Sequence, residues 1–127
     1  MRSPFNDKLG IAAEDLEDGR VRLELETGPE WTNEVGSVHG GVAMSLLDGA
    51  MGRAVGRTLA SGERCATVQF SAQFLAPAEG RIAATARVVQ RGRAVAFAEA
   101  ECVRDDGTLV ARAHGTWSVR TPSGARA

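Results

Sequence analysis

The chain predicts a single α+β domain in which an antiparallel sheet of five to six strands wraps around one long central helix. Three features carry this. One segment, from 41 to about 60, has the apolar spacing of a helix. Several other segments alternate apolar and polar residues with period two, and short turn signals separate them. Strands that follow one another through tight links favour antiparallel pairing, and the one helix must then cover the apolar face of the sheet.

Taken in order, a weak strand is expected over 9–16 and a firm one where Val21, Leu23 and Leu25 interleave with Arg20, Arg22, Glu24 and Glu26. Val42, Ala43, Met44, Leu46, Leu47, Ala50, Met51, Ala54, Val55 and Leu59 then make a long, mostly buried helix with no proline, ended by Ser61-Gly62. Residues three or four apart share a face, so Met44, Asp48, Met51, Val55 and Leu59 form one stripe, and a carboxylate stands among apolar neighbours. Ser45, Gly49, Gly52 and Gly56 form a second stripe almost free of side chains. Each glycine there costs roughly 1 kcal/mol relative to alanine, so a closely packed neighbour, most simply a curved sheet, is expected against it.

Four more strands follow. Val68, Phe70, Ala72 and Phe74 alternate with Thr67, Gln69, Ser71 and Gln73. The runs 82–90 and 95–104 are rich in alanine and valine, and the run 109–119 puts Ala111, Ala113, Gly115, Trp117 and Val119 on one face. Asp18-Gly19, the segment 77–80, Gly92 and Asp106-Gly107 supply the turns, and 121–127 reads as a loose tail.

At 127 residues the chain is one ordinary domain, able to bury roughly two thirds of its unfolded surface without staples. Cys65 and Cys102 show no metal-ligand spacing and read as small apolar fillers. With only two histidines no metal site is expected. A net charge of −1 gives no basic field for nucleic acid, and the six Trp and Phe residues form no stacking series. The first eight residues lack the apolar core of a signal peptide and no run reaches membrane-spanning length, so a cytoplasmic protein without a membrane partner is expected.

The chemistry concentrates in residues 33–48. A helix that begins at His39-Gly40-Gly41 offers unpaired backbone N–H groups and the positive end of its dipole, which suit a carbonyl oxygen gaining negative charge. Glycine at 40 and 41 lets a substrate approach the backbone. Asn33, six residues before His39, can add a side-chain amide, and Asp48 can act as nucleophile or general base. These are the parts of an acyl-transfer site. They cannot meet within one chain, because Gly40 and Asp48 lie roughly 12 Å apart along the helix. A two-fold dimer with antiparallel helices would bring Gly40 of one protomer to Asp48 of the other, so an obligate dimer is expected.

Asn33, Gly36, His39-Gly40-Gly41 and Asp48, in this spacing and on a strand-helix-strand plan, resemble the hotdog-fold acyl-CoA thioesterases of the phenylacetate-degradation (PaaI-like) branch. The resemblance extends over nearly the whole chain through Phe74-Leu75-Ala76-Pro77-Ala78, the Gln90-Arg91-Gly92-Arg93 turn and Gly115-Thr116-Trp117. It implies hydrolysis of an acyl-CoA to a free acid and CoA. Gly40 N–H and Asn33 would contact the thioester oxygen, and Asp48 of the facing subunit would activate water or attack. Thr67 would help to hold the water. His39 would shape the site, or serve only as a loop histidine bonded to backbone. Gly41, Met44, Leu47 and Met51, together with the other subunit, would line an acyl pocket at the dimer interface, and Arg91, Gly92 and Arg93 would meet the CoA phosphates, with Arg57 and Arg64 as further candidates. The resemblance also implies a homotetramer built from two dimers, and no cofactor beyond the coenzyme A of the substrate. Two other functions stay open: a non-catalytic acyl-CoA binding module, and a hydratase or dehydratase, which would need a histidine a few residues after the aspartate.

Overall fold

The computed structural model describes residues 3–122. Its elements are helix α1 (Pro4–Leu9), strands β1 (Ala12–Asp15) and β2 (Val21–Glu26), a 3₁₀ turn (Pro29–Trp31), helix α2 (Gly40–Gly56), and strands β3 (Arg64–Phe74), β4 (Arg81–Arg91), β5 (Val95–Arg104) and β6 (Leu109–Arg120). All pairings in the six-stranded sheet are antiparallel, in the order β1-β2-β4-β5-β6-β3. The expected α+β plan of a sheet around one helix is what is found.

The core forms where period two in the sheet meets period 3.6 in the helix. Val21, Leu23 and Leu25 of β2, Ile82, Ala84 and Ala86 of β4, and Trp117 and Val119 of β6 point inward. They close on Leu46, Leu47, Ala50, Met51, Ala54 and Val55 of α2. This packing explains one glycine of the small-residue stripe, Gly49, while a Cβ at Gly56 would meet nothing within 4 Å. A Cβ at Gly49 would stand 2.8 Å from Leu23 Cδ2, and one at Gly52 would stand 3.5 Å from Trp117 Nε1. At Gly49 the helix gives up a side chain because the sheet needs the room.

Several expectations need correction. The weak strand over 9–16 is only Ala12–Asp15, because Leu9 closes α1. That short helix was not expected, although Ser3 caps it through Asn6 N–H, Pro4 opens it, and Gly10 ends it at φ 81°. Helix α2 stops at Gly56 rather than near 60, and β3 starts at Arg64 rather than 67. The last four strands do not run on as one meander. β3 lies at the far edge against β6, so residues 75–80 carry the chain back across the sheet to β4. Thr121 and Pro122 have no regular structure, and the rest of the expected tail, 123–127, lies outside the described residues. Among the described residues no helix is long and apolar enough to cross a membrane.

A bulge in β3 has direct bearing on function. Strict alternation would put Thr67 and Phe70 on opposite faces. The register with β6 shifts between Thr67 and Gln69, so that Thr67 faces Trp117 and Phe70 faces Gly115. The extra residue, Val68, is turned out to 61% exposure, while Thr67 and Phe70 both stay on the side of the sheet that holds α2.

Candidate active site at the start of helix α2

The segment before α2 folds around Asn33. Its Oδ1 accepts from Val35 N–H at 3.0 Å and from Ser37 N–H at 3.1 Å. Its own N–H donates to Ser37 O at 2.7 Å, and Gly36 supplies the left-handed residue of the turn at φ 84°. A bridge between Thr32 and Val38, and the 2.8 Å bond from His39 N–H to Trp31 O, close the loop against the helix start. The carboxamide oxygen of Asn33 is thus spent on the loop. Its amide NH₂ has no partner among the described residues and is the half of the side chain that can serve a carbonyl oxygen.

His39 is the N-cap of α2. Its Nδ1 accepts from Gly41 N–H at 2.9 Å, which makes Nε2 the proton-bearing nitrogen of the neutral ring. The backbone-bonded role is the one realised in the chain, and Nε2–H is left as a donor. The cap also selects among the helix N–H groups. Gly41 N–H goes to His39 Nδ1 and Val42 N–H to His39 O, whereas Gly40 N–H has no partner among the described residues. One free donor therefore stands at the positive end of a 17-residue helix. The Phe74 ring stands beside it, 3.6 Å from where a Cβ of Gly40 would be.

Asp48, two turns further on, is half-buried, and its Oδ1 accepts from Thr67 Oγ1 at 2.8 Å. Its apolar stripe implied a more enclosed carboxylate. In one chain that stripe is deeply buried only at its far part, Met51 and Val55, while Met44 is 39% exposed, so the Asp48 flank of the helix stays open. The structure thus brings Asn33, His39 and Gly40 together at the helix start and Asp48 with Thr67 two turns away, and it does not join the two groups within one chain.

Among the expected acyl-pocket residues, Leu47 and Met51 have no exposed surface and belong to the core; Met44 and Gly41 remain accessible. The phosphate-binding candidates divide in the same way. Arg91 is committed internally: it donates to Glu63 Oε1 at 2.7 Å, to Thr58 Oγ1 at 3.0 Å and to the carbonyl of Gly92. Gly92 is required by the turn itself, since a Cβ there would lie 2.8 Å from Val95 O. Arg57 donates to Leu16 O and Arg20 O, both at 2.9 Å. The Arg93 and Arg64 guanidiniums are exposed and have no partner among the described residues. Missing from the sequence reading were Phe5, Leu9 and Trp31, which line a cavity beside His39 and Gly41. The Ser3-Pro4 start and Gly10 stop of α1 were the signal that could have found the first two.

Replacing Thr67 by Val removes the hydrogen bond to Asp48 at nearly constant volume. A bond to a charged group of about 1.5–3 kcal/mol translates to a kcat loss of roughly ten-fold or more, with KM little changed. Thr67→Ser should restore most of it. Steady-state kinetics of the two variants side by side provide the check, and equal losses in both would reduce Thr67 to a packing role.

The chain matches, over residues 1–119, the domain family described as a domain of unknown function, DUF4442. A protein of Halobacterium salinarum, provisionally named an esterase, is 38% identical over 100 residues, or 75% of this chain and 66% of that protein, just under two thirds of its length. Among solved structures, a Bacillus halodurans protein crystallised with CoA superimposes with a TM-score of 0.88 and 30% identity, covering 95% of this chain and 81% of that one. A Ralstonia eutropha protein described as phenylacetic acid degradation-related superimposes with a TM-score of 0.85 and 30% identity, covering 93% and 92%.

Proposed function

Because the chain belongs to the hotdog-fold thioesterase family, PaaI-like branch, and carries its DUF4442 domain over residues 1–119, we propose that it hydrolyses acyl-CoA thioesters at sites shared between two protomers. The observation that carries the proposal is the presence on one helix, eight residues apart, of a free N–H at Gly40 and a carboxylate at Asp48 that Thr67 holds at 2.8 Å. The first suits a thioester oxygen and the second suits the attacking water. CoA in the Bacillus halodurans neighbour supports this ligand.

In the proposed reaction the thioester oxygen sits at Gly40 N–H and the Asn33 amide. Asp48 of the other protomer takes a proton from water as the water oxygen bonds to the carbonyl carbon, and the tetrahedral oxyanion is held by the same donors. Its collapse breaks the C–S bond, and the proton passes to the CoA thiolate. Alternatively Asp48 attacks first, and water then cleaves the resulting anhydride. A thiolate leaves readily, so no strong general acid is needed. The His39 Nε2–H donor can face the same oxygen. Arg93, rather than Arg91, is the cation beside Gly92 free to meet a CoA phosphate.

Dimerisation is supported by what one chain leaves uncovered. β3 is an 11-residue edge strand, and Val68, Phe74, Leu75 and Met44 are exposed on it or near it. Pairing two copies along this side covers those residues and sets two α2 helices against each other in opposite directions. The outer face of the sheet remains for a second dimer to pack upon, giving the tetramer, and we place the activity in the cytoplasm. His114 stands on that outer face, away from α2, so no second histidine joins Asp48 as a hydratase would require.

The test is thiol release from a panel of aryl and straight-chain acyl-CoAs, read by a disulfide-exchange dye, with p-nitrophenyl esters alongside. CoA release well above ester hydrolysis is the expected outcome. Ester cleavage alone would indicate an oxygen esterase, binding without turnover a carrier module, and a change in enoyl absorbance a lyase. The protein's own thiols should add little background: burial pushes Cys102 up to about 12, and desolvation also raises Cys65.

A further inference from the structure

Helix α1 contributes no fully buried residue. It is capped at both ends, and it lies against the small-residue face of α2, where a Cβ at Gly49 would stand 4.0 Å from Asn6 Nδ2. Phe5 projects from it at 59% exposure. Asn6 and Leu9 are only partly buried, so the helix gains little from the core and its apolar side chains are open to another occupant.

Between α1, the 3₁₀ turn and the first turns of α2 lies a cavity of about 310 Å³, with Phe5, Leu9, Trp31 and Val42 as its apolar wall. Its rim is polar, with Glu30, Thr32 and Ser45, and His39 and Gly41, which flank Gly40 in the chain, complete the lining. A thioester whose oxygen sits at Gly40 N–H therefore has its acyl substituent beside this cavity. A larger groove, of about 800 Å³ on the outer face of the sheet, is lined by Arg87, Glu99, Glu101, Arg112 and His114 and suits no acyl chain.

We propose that this cavity receives the acyl group on the same protomer as the Gly40 donor, and that Phe5 and Leu9 of α1 set the acyl length. The proposal rests on the thioesterase function above. Small-molecule sites span roughly 300–1,000 Å³, so a recess at the lower end of that range selects compact acyl groups, an aryl ring or a chain of medium length, over long chains. Specificity would thus lie in the N-terminal helix, while the reacting groups lie on α2 and β3.

The experiment measures kcat/KM for acetyl-, hexanoyl-, benzoyl- and palmitoyl-CoA with wild type, Leu9→Trp, Phe5→Ala and Asp48→Asn. Filling the cavity with Leu9→Trp should lower the hexanoyl-to-acetyl and benzoyl-to-acetyl ratios at least ~10-fold, since pocket contacts of this size discriminate by that order. Phe5→Ala should raise the palmitoyl-to-hexanoyl ratio by a similar factor. Thermal melts confirm folding; should Leu9→Trp fail to fold, the Phe5→Ala ratio decides, as that ring is mostly in solvent. Unchanged ratios in an enzyme that wild type runs and Asp48→Asn abolishes would overturn the pocket and leave the thioesterase standing. No thiol release by wild type would remove both.

Discussion

Asp48→Asn is expected to lower kcat for acyl-CoA hydrolysis by at least ~100-fold, the usual contribution of a general base, while leaving the fold and melting temperature close to those of wild type. The two side chains have the same shape. Among the described residues Asp48 makes one hydrogen bond, as acceptor from Thr67 Oγ1, and an amide oxygen accepts the same bond. It has no ion-pair partner among the described residues, so the substitution strands no cation. What disappears is the negative charge that draws a proton from water or attacks the carbonyl. Kinetics and a thermal melt on one preparation check both halves. An active, folded Asp48→Asn enzyme would move the chemistry elsewhere.

Gly40→Pro should cost as much by a different route. Removing one oxyanion donor lowers kcat roughly 10²–10³-fold, and proline removes the N–H itself. Ordinarily such a change would break a helix. Gly40 is the first residue of α2, where proline is favoured, and His39 before it is already extended at φ −60° and ψ 135°, as a residue preceding proline prefers. The deleted N–H has no partner among the described residues, and the added Cβ meets Phe74 at an ordinary 3.6 Å. The expected result is a stable protein with little turnover. Co-expression with Asp48→Asn then tests the shared site. Each mixed dimer has one intact site, so random pairing should restore roughly a quarter of wild-type activity. No recovery from mixed dimers of proven composition would place both groups in one protomer's site.

The helix, the strand set and the Asn-to-Asp spacing were legible because each repeats a signal over many residues, or sets a polar group against an apolar pattern. Helix α1 was not, since six residues without a buried face leave no stripe to detect. Turn residues mark where a strand ends and say nothing of its neighbour, so the place of β3 at the edge beside β6 was hidden. So was the bulge at Val68 that puts Thr67 on the Asp48 side: only the register of both strands reveals it. Leu47 and Met51 could not be told from Met44, because depth on a helix depends on how far the sheet wraps around it. Arg91 and Arg93 flank the same glycine, and only the position of Glu63 and Thr58 shows which guanidinium is taken.

Met44, the exposed methionine of α2, stands four residues after Gly40 and four before Asp48. When two such helices lie antiparallel with Gly40 against the partner's Asp48, every position has a counterpart, and 44 is its own. The dyad then passes beside this side chain. A thioether with three rotatable bonds suits that place, since two identical side chains on an axis must avoid each other while obeying the same symmetry. In such a dimer position 44 would be equidistant from both reaction centres, and any change in its size would alter the spacing between the helices and be felt by both centres at once.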